Sequence, residues 1–128
     1  MTDTFKKLNY KAQSPILVLD APPSFGAELE AMSAEAEILR APGKGSAYSF
    51  ALAFAPMKTD LATAAKKLVA ATEPGAVLWL AYPKQTSKKY SSDLNRDVCW
   101  ETVAPLGLQP VRQISIDDNW SALRYKQS

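Results

Sequence analysis

The sequence predicts a three-layer α/β fold, a mainly parallel sheet with helices on both faces and an antiparallel strand pair at its end. Three observations carry that expectation. Residues 15–20, 48–54 and 77–82 are apolar runs of strand length: 15–20 has the form of a buried parallel strand, 77–82 that of a strand buried on both faces, and 48–54 alternates aromatic and aliphatic side chains with small ones. Between the second and third of these, Leu61, Ala64, Ala65, Leu68 and Val69 recur at helical spacing. Strand and helix patterns then alternate in the order β-α-β-β-α-β-α-β-β, as parallel strands joined by crossover helices require.

Taken in order, residues 1–14 form a polar N-terminal arm with isolated Phe5, Leu8 and Tyr10. Residues 15–20 form the first buried strand, ending at Asp20, and Ala21-Pro22-Pro23 stops it. Ser24 is placed to cap a helix from Phe25 to about Met32, with Leu29 and Met32 facing the sheet. Residues 37–40 read as a short edge strand, and Pro42-Gly43-Lys44-Gly45 as a turn. After the strand at 48–54, Pro56 ends the run and Thr59 or Asp60 caps the next helix. Glu73-Pro74-Gly75 closes that helix and leads into the central strand at 77–82. Asp97 or Ser92 caps a further helix to about Pro105, with Gly107 as its C-terminal cap and Leu108 as the apolar follower. Residues 111–116 and 122–125 are the final strands, with Asp117 to Trp120 at hairpin length between them.

With 128 residues and 47% hydrophobic side chains, the chain predicts one domain with its own core. No apolar run approaches the ~20 residues that cross a bilayer, and the polar start, TDTFKKLNYK, lacks a secretory pattern. One cysteine, Cys99, makes no internal disulfide, so cytoplasm is the expected compartment. A net charge of +2 argues against nucleic acid as a partner. The absence of histidine removes the commonest general base and zinc ligand, together with the Ser-His and Cys-His pairs.

In open parallel sheets, ligands bind beyond the carboxyl ends of the strands. That rule gathers the loops at Asp20 to Phe25, Ala55 to Lys58 and Pro83 to Arg96, joined by Asp117 to Trp120 if the sixth strand is also parallel. Lys84, Lys88, Lys89 and Tyr90, followed by Ser91 and Ser92 ahead of a helix, offer ammonium groups, hydroxyls and free N–H groups to a phosphate or carboxylate. Asp93, Asn95, Arg96 and Asp97 form a denser polar cluster, with Arg96 paired to Asp93 or Asp117 in the structural account. Asp117 and Asp118 are adjacent and point apart, which disfavours joint metal chelation. Trp79 reads as core, and Trp100 and Trp120 as pocket walls or packing. Cys99 reads as a buried structural thiol, since no histidine can activate it.

The segments ILVLDAPPSF, VLWLAYPKQTSKKYSSDLNRDVCWE and VRQISIDDNWSALRYK resemble a bacterial family of short proteins known only by a domain-of-unknown-function label. That resemblance spans nearly the whole chain and brings no established activity with it. A broader likeness is to S-adenosylmethionine-dependent methyltransferases of the Rossmann-like type. LATAAKKLVAATEPGAVLWLAYP is similar to their helix, Pro-Gly turn and following strand, and a terminal antiparallel pair suits them. The departure lies at the first turn, where those enzymes place a glycine-rich loop and this chain has Asp20-Ala21-Pro22-Pro23-Ser24-Phe25. No acidic residue that would hold ribose hydroxyls stands near Leu39-Arg40 either.

The leading expectation is therefore a non-catalytic Rossmann-like binding or interaction domain, with an anion-favouring groove at the carboxyl edge of the sheet. Its ligand-binding residues are Asp20, Ser24, Lys84, Lys88, Lys89, Tyr90, Asn95, Arg96, Asp117 and Trp120. No catalytic residue, metal or cofactor is assigned, and the partner is a small anionic ligand or a protein. The alternative is a degenerate methyltransferase-like enzyme that uses S-adenosylmethionine, and a third reading is a subunit pairing through an exposed edge or tryptophan patch.

Overall fold

The computed structural model describes residues 2–41 and 47–127, so the turn expected at Pro42-Gly43-Lys44-Gly45 lies outside the described residues. The strands are β1 (Ile16–Leu19), β2 (Ile38–Leu39), β3 (Tyr48–Phe54), β4 (Thr72–Pro83), β5 (Leu108–Ser115) and β6 (Trp120–Gln127). They form one sheet in the order β2-β1-β3-β4-β6-β5. The helices are α1 (Asp3–Lys7), α2 (Gly26–Met32), α3 (Lys58–Ala71) and α4 (Arg96–Val103).

β1 pairs in parallel with β2 and β3, and β3 in parallel with β4. β6 is antiparallel to both β4 and β5. The sixth strand is thus not parallel to the others, which corrects the condition set from the sequence. The hairpin still reaches the carboxyl rim, because β5 runs with β4 and β6 begins with Trp120 opposite Pro83. All four loops share that rim.

Strand alternation divides the apolar side chains between two faces. One face carries Leu17, Leu19, Ala51, Ala53, Leu78, Leu80, Tyr82, Leu123 and Tyr125, covered by Leu61, Ala65 and Leu68 of α3 and by Cys99 and Val103 of α4. The other carries Ile16, Val18, Phe50, Leu52, Phe54, Trp79, Ala81 and Trp120, covered by Leu29 and Met32 of α2 and by the N-terminal segment. The N-terminal residues dock firmly: Phe5 and Leu8 are fully buried, and Trp79 Nε1 donates to the Leu8 carbonyl at 2.8 Å.

Several helix starts differ from expectation, and at α3 and α4 neighbouring side chains accept from the N–H groups there. Ser24 is exposed and makes no cap; it sits inside a 3-10 turn, Pro23–Phe25, which runs directly into α2. α3 begins at Lys58, where Asp60 accepts from Met57 N at 3.2 Å and Asp93 from Lys58 N at 2.8 Å. α4 is capped by Asn95, whose Oδ1 accepts from Val98 N at 2.9 Å, so Asp97 lies in the first turn rather than at the cap. After α4, Gly107 takes the left-handed conformation (φ 81°) expected of a glycine C-cap. Gly75 (φ +82°) sits in the segment where the β3–β4 register jumps from Tyr48↔Thr72 to Phe50↔Val77.

Candidate functional site at the carboxyl rim

The chain leaves β1 for β2 on one side and crosses to β3 on the other, so the topological switch point lies over the ends of β1 and β3. A ligand in such a sheet is expected there. Aromatic rings pack beside it, in a row on the face of the sheet covered by α2. Phe25 packs on Phe54 at 5.0 Å between centroids, Phe54 on Trp120 at 5.1 Å, and Trp120 on Tyr90 at 5.0 Å. Pro22 and Pro23 offer no N–H groups to a phosphate or ribose at this turn. Asp20 is exposed with φ 55°, in the left-handed region that aspartate tolerates better than most residues.

Beside this row, the loop after β4 is tied to its neighbours by side chains of modest size. Lys84 N donates to the Asn119 carbonyl at 2.8 Å, and Ser87 Oγ donates to Asn119 Oδ1 at 2.8 Å. The same Ser87 oxygen accepts from Lys89 N and Tyr90 N at 3.2 and 3.1 Å. Further on, Ser92 donates to the Pro56 carbonyl and accepts from Leu94 N. Asp117 closes the hairpin by accepting from Asn119 N and Trp120 N at 2.8 and 2.9 Å. One oxygen of its carboxylate, Oδ1, is thus occupied in turn-making.

Two of the polar clefts along this rim hold the cations expected of the groove. The larger, of about 550 Å³, is lined by Tyr82, Lys84, Gln85, Thr86, Asn95, Arg96, Asp97, Gln113 and Ser121. The smaller, of about 420 Å³, lies within the basic loop and includes Lys84, Lys88, Lys89, Tyr90 and Ser92. Lys84 borders both, but Lys88 and Lys89 do not share a cleft with Arg96 as the single groove required. Asp20 and Ser24 line neither. Trp120, expected at the groove wall, is 2% exposed, because alternation along β6 turns it with Ala122 toward Phe54 and Trp79. Trp100 is the exposed tryptophan, at 48%.

The floor of the larger cleft is a hydrogen-bonded set that sequence reasoning missed. Gln113 Nε2 donates to the Tyr82 hydroxyl at 2.8 Å, and Ser121 also hydrogen-bonds that oxygen. Burial pushes the Tyr82 phenol up to about 12, Cys99 adds to the rise, and the Arg96 guanidinium and Ser121 oppose it. Burial likewise raises Tyr125, with Arg96 again opposing, and its hydroxyl has no partner among the described residues. Cys99 is pushed up to about 12 by burial and then by Asp93, which makes it an inert core thiol. Tyr82 and Ser121 come together through the β4–β6 pairing and Gln113 through β5. Only the alternation of these strands hinted at a shared face.

Lys84 donates its ammonium to Ser115 Oγ at 2.6 Å and keeps two donors free for a ligand. Arg96 opens α4, at the positive end of the helix dipole. Among the described residues, no group of three or more acidic or cysteine side chains is placed to hold a metal ion. No helix among them is long and apolar enough to cross a membrane.

No family model matches the chain, and no curated protein matches it. Solved structures do. The magnesium protoporphyrin IX methyltransferase ChlM from Synechocystis PCC 6803, determined with bound S-adenosylhomocysteine, is similar at TM-score 0.64 and 8% identity, covering 98% of this chain and 81% of that one. The glycopeptide N-methyltransferase MtfA, also complexed with S-adenosylhomocysteine, gives 0.61 and 9% over 97% and 87%. The N-methyltransferase NodS from Bradyrhizobium japonicum WM9 gives 0.58 and 11% over 94% and 81%. The fold is that of the Rossmann-like methyltransferases, a mixed six-stranded sheet ending in an antiparallel pair.

Proposed function

We propose that this chain is a ligand-binding domain of the methyltransferase fold class that holds a small anionic molecule at the carboxyl rim, between Lys84 and Arg96. The observation that carries this reading is the larger cleft. It sets the cations Lys84 and Arg96 above the Tyr82–Gln113–Ser121 floor, with the Asp97 carboxylate also on its wall, and its size suits a small metabolite. Lys88 and Lys89 contribute long-range attraction from the neighbouring cleft. Membership of the bacterial family that the sequence resembles is part of the proposal. The test is calorimetry with citrate as a compact polyanion: binding that Lys84→Ala and Arg96→Ala each weaken supports the cleft, and citrate affinity unaltered by both substitutions refutes it.

The second reading is an enzyme that uses S-adenosylmethionine. The neighbours favour it over a non-catalytic domain, since several are methyltransferases seen with S-adenosylhomocysteine. The Phe25–Phe54 contact and the two prolines weigh against a cofactor seat over β1 and β3. Titration with S-adenosylhomocysteine separates the two: saturable heat favours the enzyme, and none leaves the anion-binding domain.

A further inference from the structure

Away from the rim, the antiparallel pairing of β5 and β6 puts Arg112 directly opposite Arg124. Arg124 also stands opposite Trp79, on the face covered by the N-terminal segment, and the next pair along is Ile114 with Ala122 on that same face. Like charges in facing positions of an antiparallel pair are destabilising. Neither arginine makes an ion pair or hydrogen bond among the described residues, and Arg124 Nε is covered without a partner. Lys126 follows Arg124 by two positions and so projects from the same side of β6. Arg124 and Lys126 border a recess of about 300 Å³ whose one carboxylate is Glu73, an exposed side chain.

We infer that the Arg112–Arg124 pair is a phosphate-binding site, distinct from the rim cleft, for the phosphomonoester group of a small molecule. Guanidinium groups offer forked N–H donors, and a phosphate dianion supplies both the charge to offset two of them and the oxygens to accept their bonds. A single carboxylate would satisfy only one of the two charges. β5 is the outer strand of the sheet and Arg112 is exposed, so the site is open to solvent.

The test is titration with inorganic phosphate at constant ionic strength, followed by the amide and arginine side-chain NMR signals of the full chain. Shifts are expected at Arg112, Arg124 and Lys126. Arg112→Gln is expected to raise the phosphate dissociation constant by about tenfold, as loss of a charge-assisted pair implies. Arg124→Gln should do the same. Arg112 is exposed, so its variant keeps the test valid even if replacing the half-buried Arg124 disturbs folding. Lys84→Ala should leave these shifts intact. A parallel titration with a twelve-residue thymidine oligonucleotide identifies the source of the phosphate. Phosphate binding without oligonucleotide binding supports the small-molecule site, whereas oligonucleotide binding tighter than phosphate and dependent on Arg112 overturns the small-molecule assignment. Equal phosphate affinity in wild type and Arg112→Gln, or no shifts at these residues, overturns the site itself.

Discussion

On the face of the sheet covered by α2 the carboxyl rim is dry: Phe25, Phe54 and Trp120 pack ring against ring, and Tyr90 closes the row. On the opposite face, the one covered by α3 and α4, it is wet. There Lys84, Arg96, Gln113 and Ser121 surround an open cleft above a buried phenol. The difference shows that a fold-level rule for ligand position is carried out by side chains. The switch point names a location, but bulky rings close one face of the rim, while polar groups on the other face leave room. The chain shares its fold with enzymes seen holding S-adenosylhomocysteine.

The largest expected effect breaks the comparison on its dry side. Trp120→Ala removes a ring that touches both Phe54 and Tyr90 and should cost about 3–5 kcal/mol in urea unfolding. A loss below about 1 kcal/mol would return Trp120 to the role of a groove wall.

High pH probes the floor beneath the wet side. Cys99 rises from 9.0 to about 12 and Tyr82 from 10.0 to about 12 on folding. The unfolded chain therefore loses these protons first, and stability, fully present below pH 9, should fall as pH rises from about 9 to 12. Cys99→Ala should soften that fall when denaturation midpoints are compared at pH 8 and pH 10.5. A slope unchanged by the substitution would show that the thiol is not held neutral by the core.

A smaller effect is expected at the start of α4. Asn95→Ala deprives Val98 N of its acceptor and should cost about 1 kcal/mol in the same assay. Asp97→Asn should cost less, since Asp97 lies past the cap and contributes only through the helix dipole. If Asp97 proved the costlier, the cap would have been misplaced.

The smallest effect concerns the loop lysines. Lys88 and Lys89 are exposed, and Lys89 only approaches the Tyr90 ring, at 5.7 Å. The double substitution Lys88→Ala with Lys89→Ala should stay within about 0.5 kcal/mol of wild type by thermal unfolding. A larger loss would give these side chains a structural task.

Much of this was legible in the chain itself. Apolar runs and helical spacing located β1, β3, β4 and α3 because burial on both faces leaves a plain pattern, and Gly107 announced its own left-handed turn. Pro22 and Pro23 correctly signalled a first turn unlike a glycine-rich one. What escaped depended on pairs far apart in sequence. Trp120 reads as a loop-edge aromatic until β6 is paired to β4, and Tyr82, Gln113 and Ser121 share a floor only once β5 and β6 take their places. The Asn95 cap was hidden between Ser92 and Asp97, either of which fits a helix start. Phe5, Leu8 and Tyr10 looked isolated because their partners, Phe25, Phe50 and Trp79, lie in other elements.

The most direct measurement is an amide NMR shift map of the full chain titrated with citrate. The account predicts perturbations clustered at Lys84 to Thr86, Asn95 to Asp97, Gln113 and Ser121, with the first turn silent. Perturbations centred instead on Leu19 to Phe25 and Ala55 would place the ligand over β1 and β3 and contradict it.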